Sequence, residues 1–221
     1  MPSIAIDGPS GVGKSTLSRA LAKKLGYIYI DTGAMYRTIT LHALRHGIDP
    51  ADESALTTAL PGIDLAISYR DGELRVFLGG EDVSEEIRSE RVTNTVSFPS
   101  AMPAVRSRLV DIQRDMAKNS NIVMDGRDIG TVVLPNADVK IFLTASAEER
   151  ATRRLADFMA MGESVRYEDV LADIIRRDDL DSSREASPLR RADDAILVDS
   201  TPNTFEQTLE LLYNLVRERG L

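Results

Sequence analysis

The 221-residue sequence contains no cysteine, no tryptophan and only two histidines, and aromatic residues make up 5% of it. Without cysteine there is no disulfide, no cysteine-ligated zinc and no thiol nucleophile. So few aromatics argue against a surface that stacks the bases of a single strand. A basic surplus is also missing. Lys and Arg total 27 against 35 Asp and Glu, a formal charge of −8, whereas a generic nucleic-acid binder carries the opposite balance. No apolar stretch approaches the length of a membrane span. The chain enters its first apolar segment at Ile4 with no basic leader, so the expectation is a soluble cytoplasmic protein. The length suits one large domain, or a core carrying insertions.

The basic residues are 22 Arg and 5 Lys. Arginine offers a planar fork for bidentate contact with phosphate or carboxylate, while lysine is mostly a point charge. A GC-rich coding bias would produce the same excess, so the argument rests on where the arginines lie.

Five short apolar runs read as strands: 3–7, 27–31, 121–125, 139–143 and 195–199. They are nearly continuous in Ile, Val, Leu, Tyr and Phe, as strands buried on both faces of a parallel sheet are. Helical patterns alternate with them, over 14–25, 34–46 and 103–118. Ser146 with Glu149 predicts a capping box for a helix running to Met161, and Asn203 with Glu206 predicts another before Leu209. Strands alternating with helices predict βαβ units and a three-layer α/β/α core around a five-stranded parallel sheet. Residues 63–83 break the rhythm. Their alternation around Asp71-Gly72 predicts an antiparallel hairpin with a third short strand near Val83. Residues 176–191 carry five Arg and four acidic residues, the composition of a solvated loop.

Gly8-Pro9-Ser10-Gly11-Val12-Gly13-Lys14-Ser15 matches the phosphate-binding loop G-x-x-x-x-G-K-[ST], and Thr16 follows it. Successive N–H groups of such a loop turn inward around phosphates, and the helix behind it points its positive dipole end at them. Lys14 would reach the β- and γ-phosphates, and the Ser15 hydroxyl would ligate Mg²⁺. An apolar strand before the motif and a helical pattern after it supply the right context, so the chain is expected to bind a nucleoside triphosphate. A GTPase would show Asn-Lys-x-Asp, which is absent, and a motor would need more chain. A compact small-molecule kinase remains.

Two further groups lie at strand ends, where a parallel sheet forms its ligand crevice. Asp125-Gly126-Arg127-Asp128 follows the third core strand, and Asp125 is a candidate to hold Mg²⁺ through water. Asp31-Thr32-Gly33-Ala34-Met35-Tyr36-Arg37 follows the second. Arg106 sits on the helix after Pro103, where a surface charge is an equally good reading. The whole set, with Arg177–Arg184 (RDDLDSSR) and Asp199-Ser200-Thr201, resembles the nucleoside monophosphate kinases and among them the bacterial cytidylate kinases. The resemblance runs over essentially the whole chain, hairpin included.

That resemblance implies sheet order 2-3-1-4-5 in a single P-loop kinase domain. Its core would be 1–35, 101–155 and 190–221, with an acceptor-binding insertion over about 60–100 and a lid over about 156–188. It implies transfer of the γ-phosphoryl group of ATP to CMP or dCMP, with Mg²⁺. Arg37, Arg127 and Arg184 would hold the acceptor phosphate, Arg177 and Asp181 the ribose, and Thr32, Ser97, Arg106 and Asp128 the cytosine. The family pattern has Ser at the Thr32 position, and the hydroxyl is kept. Arg150, Arg153 and Arg154, on the helix after the fourth core strand, stay open as the group that stacks on adenine or reaches the ATP phosphates, with Arg154 carried among the ATP-binding residues and Asp199-Ser200-Thr201 beside the adenine. Catalysis would fall to Lys14, Arg37, Arg127 and Arg184.

Chemistry supports the base assignment independently. Cytosine presents an N4 donor beside N3 and O2 acceptors, so a carboxylate and an arginine complement it. Uracil reverses that edge, and the mismatch is worth ~1–3 kcal/mol. The acceptor phosphate, with a second pKa near 6, is already largely dianionic at pH 7, so no general base is needed. A monomer without nucleic-acid or membrane partners is expected. Two other readings stay open: a kinase for UMP, AMP or a hydroxy acid, and an ATP-binding regulatory protein without transfer activity.

Other signals are set aside. His42 and His46 have two-histidine metal spacing, but Ala43 stands where a zinc-protease glutamate would be. The 179–190 stretch has Arg184 in place of the glycine that an EF-hand loop needs. Met102, Met116, Met124, Met159 and Met161 read as core filler, and 81–90 as a solvated acidic edge.

Overall fold

The computed structural model describes residues 1–70, 73–160 and 162–221. The expected Asp71-Gly72 turn and Met161 lie outside the described residues. Five apolar runs pair in parallel: β1 (Ser3–Asp7), β2 (Ile28–Asp31), β6 (Ile122–Gly126), β7 (Val139–Thr144) and β8 (Ile196–Asp199). Their spatial order is β2-β6-β1-β7-β8, which in core-strand numbering is the expected 2-3-1-4-5. Each strand ends within one residue of its sequence prediction.

Both faces of β1, β2, β6 and β7 are covered, as continuous apolar strands require. The edge strand β8 departs from the expected burial on both faces and leaves Leu197 53% exposed. Ala5, Ile122 and Met124 face one cluster with α2 (Thr32–Arg45) and α6 (Pro103–Ala117). Ile4, Ile6 and Val123 face the other with α1 (Lys14–Leu25) and α9 (Phe205–Glu218). A third, smaller cluster joins α7 (Ala147–Ala160) to α8 (Tyr167–Ser183) through Ala151, Val170 and Ile174. Between β2 and β6 the chain inserts α3 (Glu53–Ala59), the antiparallel β3 (Leu65–Arg70), β4 (Glu73–Leu78) and β5 (Glu81–Asp82), then α4 (Glu90–Thr95) and α5 (Ser97–Ala101). No helix among the described residues is long and apolar enough to cross a membrane.

Several expectations need correction. Residues 176–183 are not loop but the last turns of α8. Buried Val170 and Ile174 anchor that helix, and its carboxylates find arginine partners across the crevice. The last cap is one residue later than expected, with Thr204 and Gln207 bonding reciprocally, while the Asn203 amide turns to the Asp199 carbonyl. At α7 only half the box forms. Ser146 Oγ accepts from Glu149 N, but the Glu149 carboxylate takes Arg153. Glu81 and Glu86 are more than a solvated edge, because both bind the Arg45 guanidinium at the end of α2. Met102 and Met124 are buried, but Met159 is 68% exposed on α7 and fills no core.

Candidate active site

At its first glycine the phosphate loop leaves no room for a side chain. A Cβ on Gly8 would lie 2.0 Å from the Leu143 carbonyl oxygen of β7, and Gly8 has φ of 154°. Gly13 stands at the N-cap of α1 and supplies no side-chain cap, so the first N–H groups of the helix stay free for an anion. Lys14 is buried, and its Nζ donates to the Pro9 carbonyl at 2.6 Å. Burial and then the Arg127 guanidinium push its ammonium down to about 7.

β6 delivers Asp125 beside this loop. Ser15 Oγ donates to Asp125 Oδ2 at 2.9 Å, and the Tyr29 hydroxyl donates to Oδ1 at 2.8 Å. Burial, then the charge of Asp31, raises the Asp125 carboxyl above its ordinary range. A hydroxyl touching a carboxylate next to a phosphate cradle is a donor set suited to Mg²⁺, which takes few protein ligands and keeps its waters. Asp7, at the end of β1, accepts from Ile129 N and Gly130 N at 2.8 Å each and so fixes the segment after Arg127. Burial, opposed by those two bonds, lifts Asp7 to about 6.

Arg106 is 4% exposed and forms an ion pair with Asp128, just after β6. The surface-charge reading of Arg106 is therefore overturned. Its Nη1 also donates to the Ser100 carbonyl at 2.9 Å. Arg184 brings Nη2 to 3.9 Å from Asp128 Oδ1, and that nitrogen is buried without a hydrogen bond. Burial and then Arg106 lower the Arg184 pKa. Arg127 Nε donates to Asp181 Oδ2 at 2.7 Å. Ser97, Asp181 and Arg184 line a cavity of about 370 Å³ between α5 and α8.

Arg37 folds back on Asp31 at 3.1 Å, and its Nε is buried without a partner. Thr32 Oγ1 donates to the Asp125 carbonyl at 2.7 Å, which leaves the hydroxyl its acceptor capacity alone. Arg177 is held by Asp173 at 2.8 Å and by the Asn94 amide oxygen at 3.2 Å.

Of the three arginines of α7, it is Arg150 that meets the phosphate loop, donating to the Ser10 carbonyl at 2.9 Å while pairing with Asp178. Arg153 donates to the Ser200 carbonyl at 3.0 Å. Arg154 lies over the Phe158 ring, 4.8 Å from its centroid, rather than against the loop. Sequence reasoning missed Tyr29, Asp7, Asp178 and Arg88, which donates to Asp31. Asp7 could have been found as the polar end of the strand feeding the loop; for Tyr29 and Arg88 the sequence carries no signal.

A family model described as Cytidylate kinase matches residues 4–218. A cytidylate kinase of Mycolicibacterium paratuberculosis is 55% identical over 218 residues, 98% of this chain and 96% of that protein. One from Caldanaerobacter subterraneus subsp. tengcongensis is 53% identical over 215 residues, 97% of this chain and 94% of its own length. Among solved structures, an uncharacterized protein from Eubacterium ventriosum superposes with a TM-score of 0.54 at 13% identity, covering 98% of each chain, a likeness of fold alone.

Proposed function

The chain belongs to the cytidylate kinase family, and on that premise we propose that it transfers the γ-phosphoryl group of ATP to CMP and dCMP. The observation that carries this reading is the buried Arg106–Asp128 pair, which offers a donor and an acceptor to one base edge. Asp128 would accept from the cytosine N4 amino group and Arg106 would donate to N3 and O2. Ser97 and the free lone pair of Thr32 would complete that contact, and Arg177 and Asp181 would take the ribose.

The residues of Gly8–Thr16 would cradle the ATP phosphates, with Lys14 at the β- and γ-positions. Ser15 and Asp125 would hold Mg²⁺, which supplies charge neutralisation between the phosphates. Arg37, Arg127 and Arg184 would gather the acceptor phosphate and the charge of the transferring group. The acceptor oxygen is already ionised, so positioning and electrostatics suffice. A lid over about 156–188 would exclude water from the transfer, and the insertion over about 60–100 would shape the acceptor side. Arg150 fits the phosphate loop better than Arg154, and Asp199-Ser200-Thr201 would flank the adenine through Arg153.

The −8 charge supports an enzyme without a nucleic-acid partner. The test is ADP formation from Mg·ATP with CMP, dCMP, UMP, AMP and GMP supplied singly. Turnover with CMP and dCMP well above the others is expected. Equal turnover with UMP would overturn the base-reading assignment, and turnover with none of them would overturn the transfer reaction.

A further inference from the structure

Asp31 is 3% exposed, at the junction of β2 and α2. Its carboxylate serves three donors. Ala34 N reaches Oδ1 at 2.9 Å, where the side chain caps α2, while Oδ2 accepts from Arg37 Nη2 at 3.1 Å and from Arg88 Nη2 at 3.3 Å. The two guanidiniums arrive from different parts of the fold. Arg37 stands one turn into α2, and Arg88 closes a short turn of the insertion just after β5. Burial works against the Asp31 carboxylate, but Arg37 and Arg88 together hold its pKa below the ordinary value.

Arg37 is placed to leave this contact. Its Nε is buried without a hydrogen bond, so Asp31 satisfies it only in part. The folded-back position depends on Gly33. A Cβ there would lie 3.1 Å from Arg37 Nη1 and 3.2 Å from Asp31 Oδ1. An arm that swings from a buried carboxylate to a phosphate leaves that carboxylate unpaired unless a second cation remains, and an unpaired buried charge is strongly unfavourable. Arg88 is that second cation. It is 48% exposed on its side chain, belongs to the insertion, and meets the same carboxylate oxygen as Arg37.

We infer that Arg88 is a positioning residue of the acceptor site: it keeps Asp31 paired, so that Arg37 is free to turn to the acceptor phosphate. It acts through Asp31 and Arg37 and does not itself touch substrate. With Arg88 in place Asp31 shares its attraction between two cations, and α2 keeps its cap whichever way Arg37 points. Without it, Asp31 has Arg37 as its sole cationic partner and holds it back. The inference rests on the reading of Arg37 as an acceptor-phosphate arm in a CMP-phosphorylating enzyme.

The test compares Arg88→Met, Arg88→Lys, Asp31→Asn and the Arg88→Met/Asp31→Asn double variant. CMP binding to each is measured by calorimetry, with KM for CMP and for ATP alongside. Arg88→Met should weaken CMP binding and raise its KM on the order of tenfold, with the KM for ATP unchanged. Arg88→Lys, which keeps the charge, should recover most of that loss. In the Asp31→Asn background the Arg88 substitution should have little further effect, because the carboxylate that restrains Arg37 is gone. A purely structural tie would behave differently: both KM values would rise, the melting temperature would fall, and the two substitutions would add. Unchanged CMP binding in Arg88→Met, or an undiminished Arg88 effect in the Asp31→Asn background, would overturn the inference and leave the CMP kinase reading standing. Failure of the unsubstituted chain to bind CMP would remove both.

Discussion

Arg150 and Asp178 are joined by two hydrogen bonds, at 3.1 and 2.6 Å, and the same guanidinium donates to the carbonyl of Ser10 in the phosphate loop. One side chain thus ties α8 to the loop through a partly buried ion pair. Asp178→Asn removes the negative partner while Arg150 keeps its bonds to the Ala145 and Ser10 carbonyls. The expected result is a loss of about 1–3 kcal/mol in stability, together with a raised KM for ATP. Thermal melts with and without ATP measure both, and an unchanged melting temperature and KM would show that the bridge is idle.

Lys14 makes ATP binding pH-dependent. With its pKa lowered to about 7 in the free protein, it is mostly neutral at pH 8, and an arriving triphosphate favours the ammonium. Binding at pH 8 should therefore take up close to one proton per ATP. Affinity should decline by up to about tenfold per pH unit above 7. Calorimetry in two buffers of different ionisation enthalpy reads the uptake directly. Identical heats in the two buffers would contradict it, and Lys14→Met should abolish the difference.

Asp128 should decide between cytosine and uracil. Asp128→Asn replaces an acceptor-only group with one that can also donate, which a uracil O4 tolerates. The ratio of kcat/KM for CMP over UMP should fall by ~1–3 kcal/mol, or roughly five- to 150-fold. An unaltered ratio would move base recognition elsewhere.

Arg184 carries a buried, unbonded Nη2 next to the acceptor cavity, where it can meet charge that develops during transfer. Arg184→Met is expected to lower kcat by about 10²–10³ while the KM for ATP changes little. Steady-state kinetics with both substrates separates the two. A rise in the KM for ATP with normal kcat would place Arg184 on the donor side instead.

The alternation of strands and helices was readable from the chain because it follows from local spacing. Buried parallel strands need continuous apolar runs, and 3–7 or 139–143 can hardly be anything else. The phosphate loop was readable for the same reason, since its glycines and Lys14 stand consecutively. Residues 176–183 misled because charge density alone does not separate a solvated loop from a helix whose charges are paired elsewhere. Arg177 pairs with Asp173 one turn back, but Asp178 and Asp181 find Arg150 and Arg127 on other elements.

Composition and periodicity by themselves determined the α/β class, the strand ends that form the crevice and the loop that takes phosphate. The tertiary structure alone decided which arginines face that crevice and which carboxylate holds each of them. A charge becomes a recognition group when it is buried and still paired, and its partner comes from a distant part of the chain. Arg106 on α6 finds Asp128 just after β6, Arg150 finds Asp178 on the next helix, and Arg88 reaches Asp31 from the insertion. No local pattern encodes such pairs, because the favourable interaction exists only after folding has removed the water between them.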